Sequence, residues 1–103
     1  MSVLKITKDN FEKEVAGASV PVLLDFYADW CGPCRMVAPT VHAIAEENPQ
    51  YLVGKINVDN EPELARAFGV VSIPLLVVMK NGEVVQQALG ARPKDQILAL
   101  LGD

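Results

Sequence analysis

Apolar positions fall into short runs, broken about every ten to fifteen residues by Gly, Pro, Asn or Asp. Residues 3–6 alternate weakly, which predicts a short strand. Asp9 followed by Glu12 resembles a capping box, and Phe11 with Val15 makes an apolar i, i+4 pair, so a short helix should follow and end at Gly17. Residues 20–27, Val-Pro-Val-Leu-Leu-Asp-Phe-Tyr, are almost continuously apolar, as expected of a central strand covered on both faces. Pro21 is tolerated only at its start. From Cys34 to about Asn48 the period becomes helical, with Val37, Val41, Ile44 and Ala45 on one face and Pro39 inside as a source of kinking.

Residues 52–58 predict another strand, and Asn60 with Glu63 caps a short helix that stops at Gly69. Residues 75–79 predict a fourth strand. Asn81-Gly82 is a type I′ hairpin signal leading into a fifth, over residues 84–89. Pro93 opens a last helix carrying Ile97, Leu98, Leu100 and Leu101. The order is β-α-β-α-β-α-β-β-α. Strands alternating with helices imply an α/β fold with a mixed, five-stranded central sheet flanked by helices on both faces. Sites in such sheets form at the carboxyl ends of strands. No repeat, low-complexity tract or linker interrupts the pattern, so residues 1–103 are expected to form a single domain.

Composition narrows the function without naming it. Half of the 103 residues are apolar and 21% are charged, as in ordinary soluble globular proteins. A formal net charge of −4, with no long Lys/Arg cluster, speaks against nucleic acid as the main partner. No apolar run is long enough to span a bilayer, and the first eight residues lack the pattern of a signal peptide. A chain trimmed of such a signal stays open, but the cytoplasm is the expected compartment.

The chemistry concentrates in Trp30-Cys31-Gly32-Pro33-Cys34, which holds both cysteines of the chain. A disulfide between them would close a ring too small to restrain the unfolded chain much, so it makes a poor staple but a good reversible bond. Half a zinc site is the competing reading. Structural zinc normally takes four Cys or His ligands, and the chain has two Cys and one His, His42. Two inert core cysteines are the other. Redox chemistry is the working hypothesis.

Thiol–disulfide exchange needs an exposed thiolate and a second thiol near enough to resolve the mixed disulfide. Cys31 lies at the amino end of a helix, where unpaired N–H groups and the dipole favour an anion; Cys34, one turn inward, should be more buried. Pro33 presets a helical φ, Gly32 leaves the sulfur open to attack, and Trp30 offers a flat apolar surface beside it or a partly buried core ring. Asp25, inside an apolar strand, should have a raised pKa suited to taking the Cys34 proton, unless it reaches water at a strand end. Lys55, on the neighbouring strand, either tempers that charge or snorkels to the surface. Arg35 and Lys94 read as ordinary surface charges, and His42 as a solvated or packing residue. Base rates alone make the Ile73-Pro74 bond trans.

Taken together, Asp25 through Cys34, Pro39, Lys55, Ser72-Ile73-Pro74, Lys80-Asn81-Gly82-Glu83 and Gly90 make the whole chain resemble the thioredoxin family, in its reducing rather than its oxidising branch. The resemblance implies a general protein-disulfide reductase and electron carrier. Cys31 would attack, Cys34 would resolve, and Asp25 and Lys55 would manage the proton. Pro74 would follow a cis bond and face the disulfide. Trp30, Gly32, Pro33, Ile73, Pro74 and Gly90 would line the substrate groove. Electrons would come from an NADPH-dependent flavoprotein reductase, with the chain a monomer binding neither nucleotide nor metal. Three residues depart from the family's habit: Leu75 where Thr is common, Tyr27 where Trp is frequent, and Met79 where Phe often precedes the turn. Two other functions compete, a non-catalytic assembly subunit using the same groove and a thiol-redox domain dedicated to one pathway. The intact cysteine pair with Asp25 argues against the former as a sole role.

Overall fold

The computed structural model describes residues 2–102; Met1 and Asp103, which the single-domain reading of 1–103 includes, lie outside the described residues. Five strands, β1 (Leu4–Lys5), β2 (Val22–Tyr27), β3 (Leu52–Asn57), β4 (Leu75–Lys80) and β5 (Glu83–Leu89), form one sheet in the order β1-β3-β2-β4-β5. Strands β1, β3 and β2 run parallel, β4 is antiparallel to β2, and β5 is antiparallel to β4. A π-helical turn (Glu12–Ala16) and helices α1 (Gly32–Glu47), α2 (Pro62–Ala67) and α3 (Lys94–Leu100) complete the expected element order.

The period-2 alternation of the strands divides the core in two. Leu23, Val53, Leu76 and Val78 pack with Val37, Val41, Ile44 and Ala45 of α1 and with Ile97 of α3. Val22, Leu24, Phe26, Ile56, Val77 and Met79 pack on the other face with Val15 and Leu64. Both faces of β2 are therefore covered, which is why its sequence is apolar without a polar side. Asp25 alternates in step with Leu23 and so faces α1. Gly54 marks a close approach: a Cβ there would stand 2.6 Å from Ile6 Cγ1.

The ends of the elements depart from the sequence reading in informative ways. Asp9 and Glu12 form no capping box. Asn10 instead accepts from Thr7 N (2.7 Å) and donates to the Lys5 carbonyl (2.9 Å), a local bonding habit that competes with regular helix. The following turn closes five residues back, Gly17 N to Glu12 O, so it is π rather than α. Asn60 does not cap α2 either. Glu61 occupies that place ahead of Pro62, its carboxylate is taken by Lys8 N, and the turn before it is held by Asn57 Oδ1. Strand β2 begins after Pro21, and Pro93 stands just outside α3 in an extended conformation. Pro39 sits within α1, which continues through it. Asn81 and Gly82 have φ of 54° and 78°, the two left-handed residues that a type I′ turn requires.

Candidate active site

Strand β2 ends at Tyr27, and the chain crosses its carboxyl end through Ala28, Asp29 and Trp30 before α1 begins. Cys31 is the N-cap of α1, and its Sγ accepts the Cys34 backbone N–H at 3.2 Å. The positive end of the helix is thereby aimed at one sulfur, an arrangement that stabilises negative charge on it. Pro33 falls in the first turn, where its missing N–H costs no helical bond. Cys31 and Cys34 are joined as a disulfide with Cα atoms 5.2 Å apart. Cys31 was expected to be open to solvent. In this oxidised state it is only 5% exposed against 3% for Cys34, because Ala28, Tyr27, Val58 and Ile73 pack around the pair.

The loop before β4 closes the site from the other side. The Ile73-Pro74 peptide is cis, as the family resemblance implied and the base rate did not. The Ile73 carbonyl oxygen lies 3.9 Å from Cys31 Sγ. Pro74 itself is buried and Ile73 half-buried. The Pro74 carbonyl accepts the Gly90 N–H at 2.8 Å, so the end of β5 is tied to this loop. Gly90 adopts φ +94°, a conformation that side chains rarely take. Trp30 stands at the rim, 68% exposed, and its indole N–H donates to Asp59 Oδ2 at 2.8 Å. Gly32 and Pro33 lie at the same rim at the start of α1, Pro33 exposed and Gly32 half-buried.

Beneath the disulfide, on the α1 face of the sheet, lies a cavity of about 350 Å³ bordered by Asp25, Tyr27, Cys34, Ala38, His42 and Lys55, among others. Asp25 is 4% exposed and its Oδ1 has no hydrogen-bond partner. Burial raises its pKa from 3.8 to about 7, and the positive charge of Lys55 acts weakly against that rise. The two residues are register partners across β2 and β3, yet the half-buried Lys55 does not provide the missing hydrogen bond. Asp25 is therefore no strand-end carboxylate: it sits mid-strand and shares the cavity with Cys34. A carboxyl poised near neutrality beside a thiol can exchange protons with it. Tyr27 is also pushed upward, chiefly by burial.

Sequence reasoning passed over three contributors to this region. Arg35 does not point idly into solvent; it donates to the Asp29 carbonyl at 2.8 Å and borders the cavity, so it braces the loop ahead of the disulfide. Its position four residues after Cys31, one helical turn on, was the available signal. His42 is exposed but also borders the cavity, which its place on the Val41 side of α1 allows. Asn57 organises the loop that holds Trp30, and the spacing Asn-x-Asp-Asn was its signature. Lys94 meets Glu47 at 2.6 Å on the surface, as an ordinary exposed pair. Among the described residues, no group of three or more His, Cys, Asp or Glu stands close enough to hold a metal ion, and no helix is long and apolar enough to cross a membrane.

The family model described as Thioredoxin matches residues 2–103. A thioredoxin of Streptomyces clavuligerus is 48% identical over 93% of this chain and 91% of its own length. One from Porphyra purpurea is 48% identical over 98% of this chain and 95% of its own. A bifunctional thioredoxin reductase/thioredoxin of Mycobacterium leprae is 44% identical over 97% of this chain, which spans 22% of that protein. With a two-cysteine disulfide at a helix N-terminus on the expected sheet, the chain belongs to the thioredoxin family and is a thiol–disulfide oxidoreductase that reduces protein disulfides by dithiol exchange.

Proposed function

We propose that this chain acts as one thioredoxin-like unit, a monomeric general reductant of protein disulfides in the cytoplasm, recharged by a separate NADPH-dependent flavoprotein reductase. In the reduced protein the Cys31 thiolate, favoured by the Cys34 N–H, attacks one sulfur of a target disulfide and expels the other as a thiolate. The Asp25 carboxylate takes the Cys34 proton, with Lys55 steadying the charge. The Cys34 thiolate then attacks Cys31 Sγ and releases the second target sulfur. Two electrons leave for the target, and the Cys31–Cys34 disulfide remains. Trp30, Gly32, Pro33, Ile73, Pro74 and Gly90 form the groove that receives the target segment. The observation that carries this reading is Asp25: a buried carboxyl near neutrality, with its Oδ1 unpartnered, is costly, and it opens onto the same cavity as Cys34. The Mycobacterium leprae relative is a bifunctional thioredoxin reductase/thioredoxin, which supports such a reductase as the electron source here.

The test is coupled turnover. Purified protein with a bacterial thioredoxin reductase and NADPH should reduce insulin disulfides with stoichiometric NADPH loss, and Cys31→Ser should abolish it. NADPH consumption without this chain's participation, or none at all, contradicts the reading.

A further inference from the structure

We propose that Asn57 is a positioning residue for target binding, which fixes Trp30 as a standing wall of the groove through Asp59. Trp30 is the single tryptophan of the chain and is mostly exposed, so packing alone leaves its ring free to swing. What restrains it is a chain of polar contacts running inward. The indole N–H donates to Asp59 Oδ2 at 2.8 Å. Asp59 is exposed, but its backbone N–H donates to Asn57 Oδ1 at 2.9 Å, and Asn60 N–H donates to the same oxygen at 3.3 Å. Asn57 is buried at the end of β3, where it is the register partner of Tyr27 at the end of β2. One buried carboxamide, fixed on the sheet, thus holds the loop that carries Asp59. A ring held in place gives up no freedom when a target docks against it, and that freedom is what binding otherwise costs.

The inference rests on Trp30 belonging to the target groove, and the test separates the two claims. Kinetics of insulin reduction in the coupled assay are measured for Asp59→Ala, Asp59→Asn, Trp30→Phe and the Asp59→Ala/Trp30→Phe double variant, beside reduction of a small aromatic disulfide. Loss of one charge-assisted hydrogen bond at an exposed site should raise KM for insulin about fivefold with kcat nearly unchanged. Asp59→Asn, which keeps an acceptor oxygen, should recover most of this, and the small disulfide should show no change. In the Trp30→Phe background, Asp59→Ala should have no further effect. Fluorescence anisotropy, reporting Trp30 alone, should fall in Asp59→Ala. Asn57→Ala should reproduce both changes, and if it does not fold, Asn57→Ser, which shortens the acceptor arm, is measured in its place; a folded Asn57 variant with KM and anisotropy unchanged removes Asn57 from the clamp. An unchanged KM in Asp59→Ala, or a rise that persists undiminished without the indole, overturns the clamp. An unchanged KM in Trp30→Phe removes the groove assignment beneath it, and the clamp's function with it.

Discussion

Replacing Asp25 by Ala should make the oxidised protein more stable at neutral pH, and the size of the gain follows from its burial. The folded carboxyl titrates at about 7 against an ordinary 3.8, because burial disfavours the charged form. Between those values the folded state holds a proton that the unfolded state has released. Stability is therefore undiminished below pH 3.8, falls as pH rises through the window, and stays low above 7. A gap of about three pH units at about 1.4 kcal/mol each makes the full penalty about 4 kcal/mol. Ala removes it but gives up the few contacts of the carboxyl stem, which is cheap because the side chain already borders a cavity. The net gain should be about 3 kcal/mol at pH 8 and near zero at pH 4. Guanidinium unfolding of both oxidised proteins from pH 4 to 9 measures it. A variant no more stable than the parent at pH 8, with the parent's pH slope intact, would show Asp25 to be solvated and remove its assignment as the Cys34 base.

Further outcomes follow from the same geometry. In the parent, resolution of the mixed disulfide by Cys34 should speed up as pH rises through about 7, and Asp25→Ala should flatten that profile and slow resolution, as stopped-flow kinetics can show. Cys34→Ser should attack targets but fail to release them, so mixed disulfides accumulate on non-reducing gels. Gly54→Ala should destabilise by about 1–3 kcal/mol in chemical denaturation, because its Cβ would overlap the Ile6 side chain between strands. Gly90→Ala must take up φ +94° or break the Gly90–Pro74 bond, and should cost about 1–2 kcal/mol and raise KM for protein targets.

The architecture was legible because each element carried its own period. The apolar run of β2 announced a strand covered on both faces, and Val37, Val41, Ile44 and Ala45 marked the buried face of α1 as found. The hairpin at Asn81-Gly82 needed only its dipeptide. What failed was capping. Asp9 and Asn60 had the right residue types in the right places, but Asn10 and Asn57 took the neighbouring backbone groups into local turns instead, and Glu61 found its partner, Lys8 N, far away in sequence. In the site, Asp25 stood out as a charge within an apolar strand, and its raised pKa followed from burial alone. The cavity joining it to Cys34, and the places of Arg35 and His42 on its border, depend on how α1 lies across the sheet. No spacing rule encodes that packing.

The division of labour between the two sulfurs is the centre of the account, and limited alkylation tests it most directly. The fully reduced protein would be treated with substoichiometric iodoacetamide near neutral pH and digested, and the modified cysteine located by mass spectrometry. Cys31, the N-cap of α1, should carry the label almost alone while Cys34 stays unmodified. Preferential labelling of Cys34, or equal labelling of both, contradicts it.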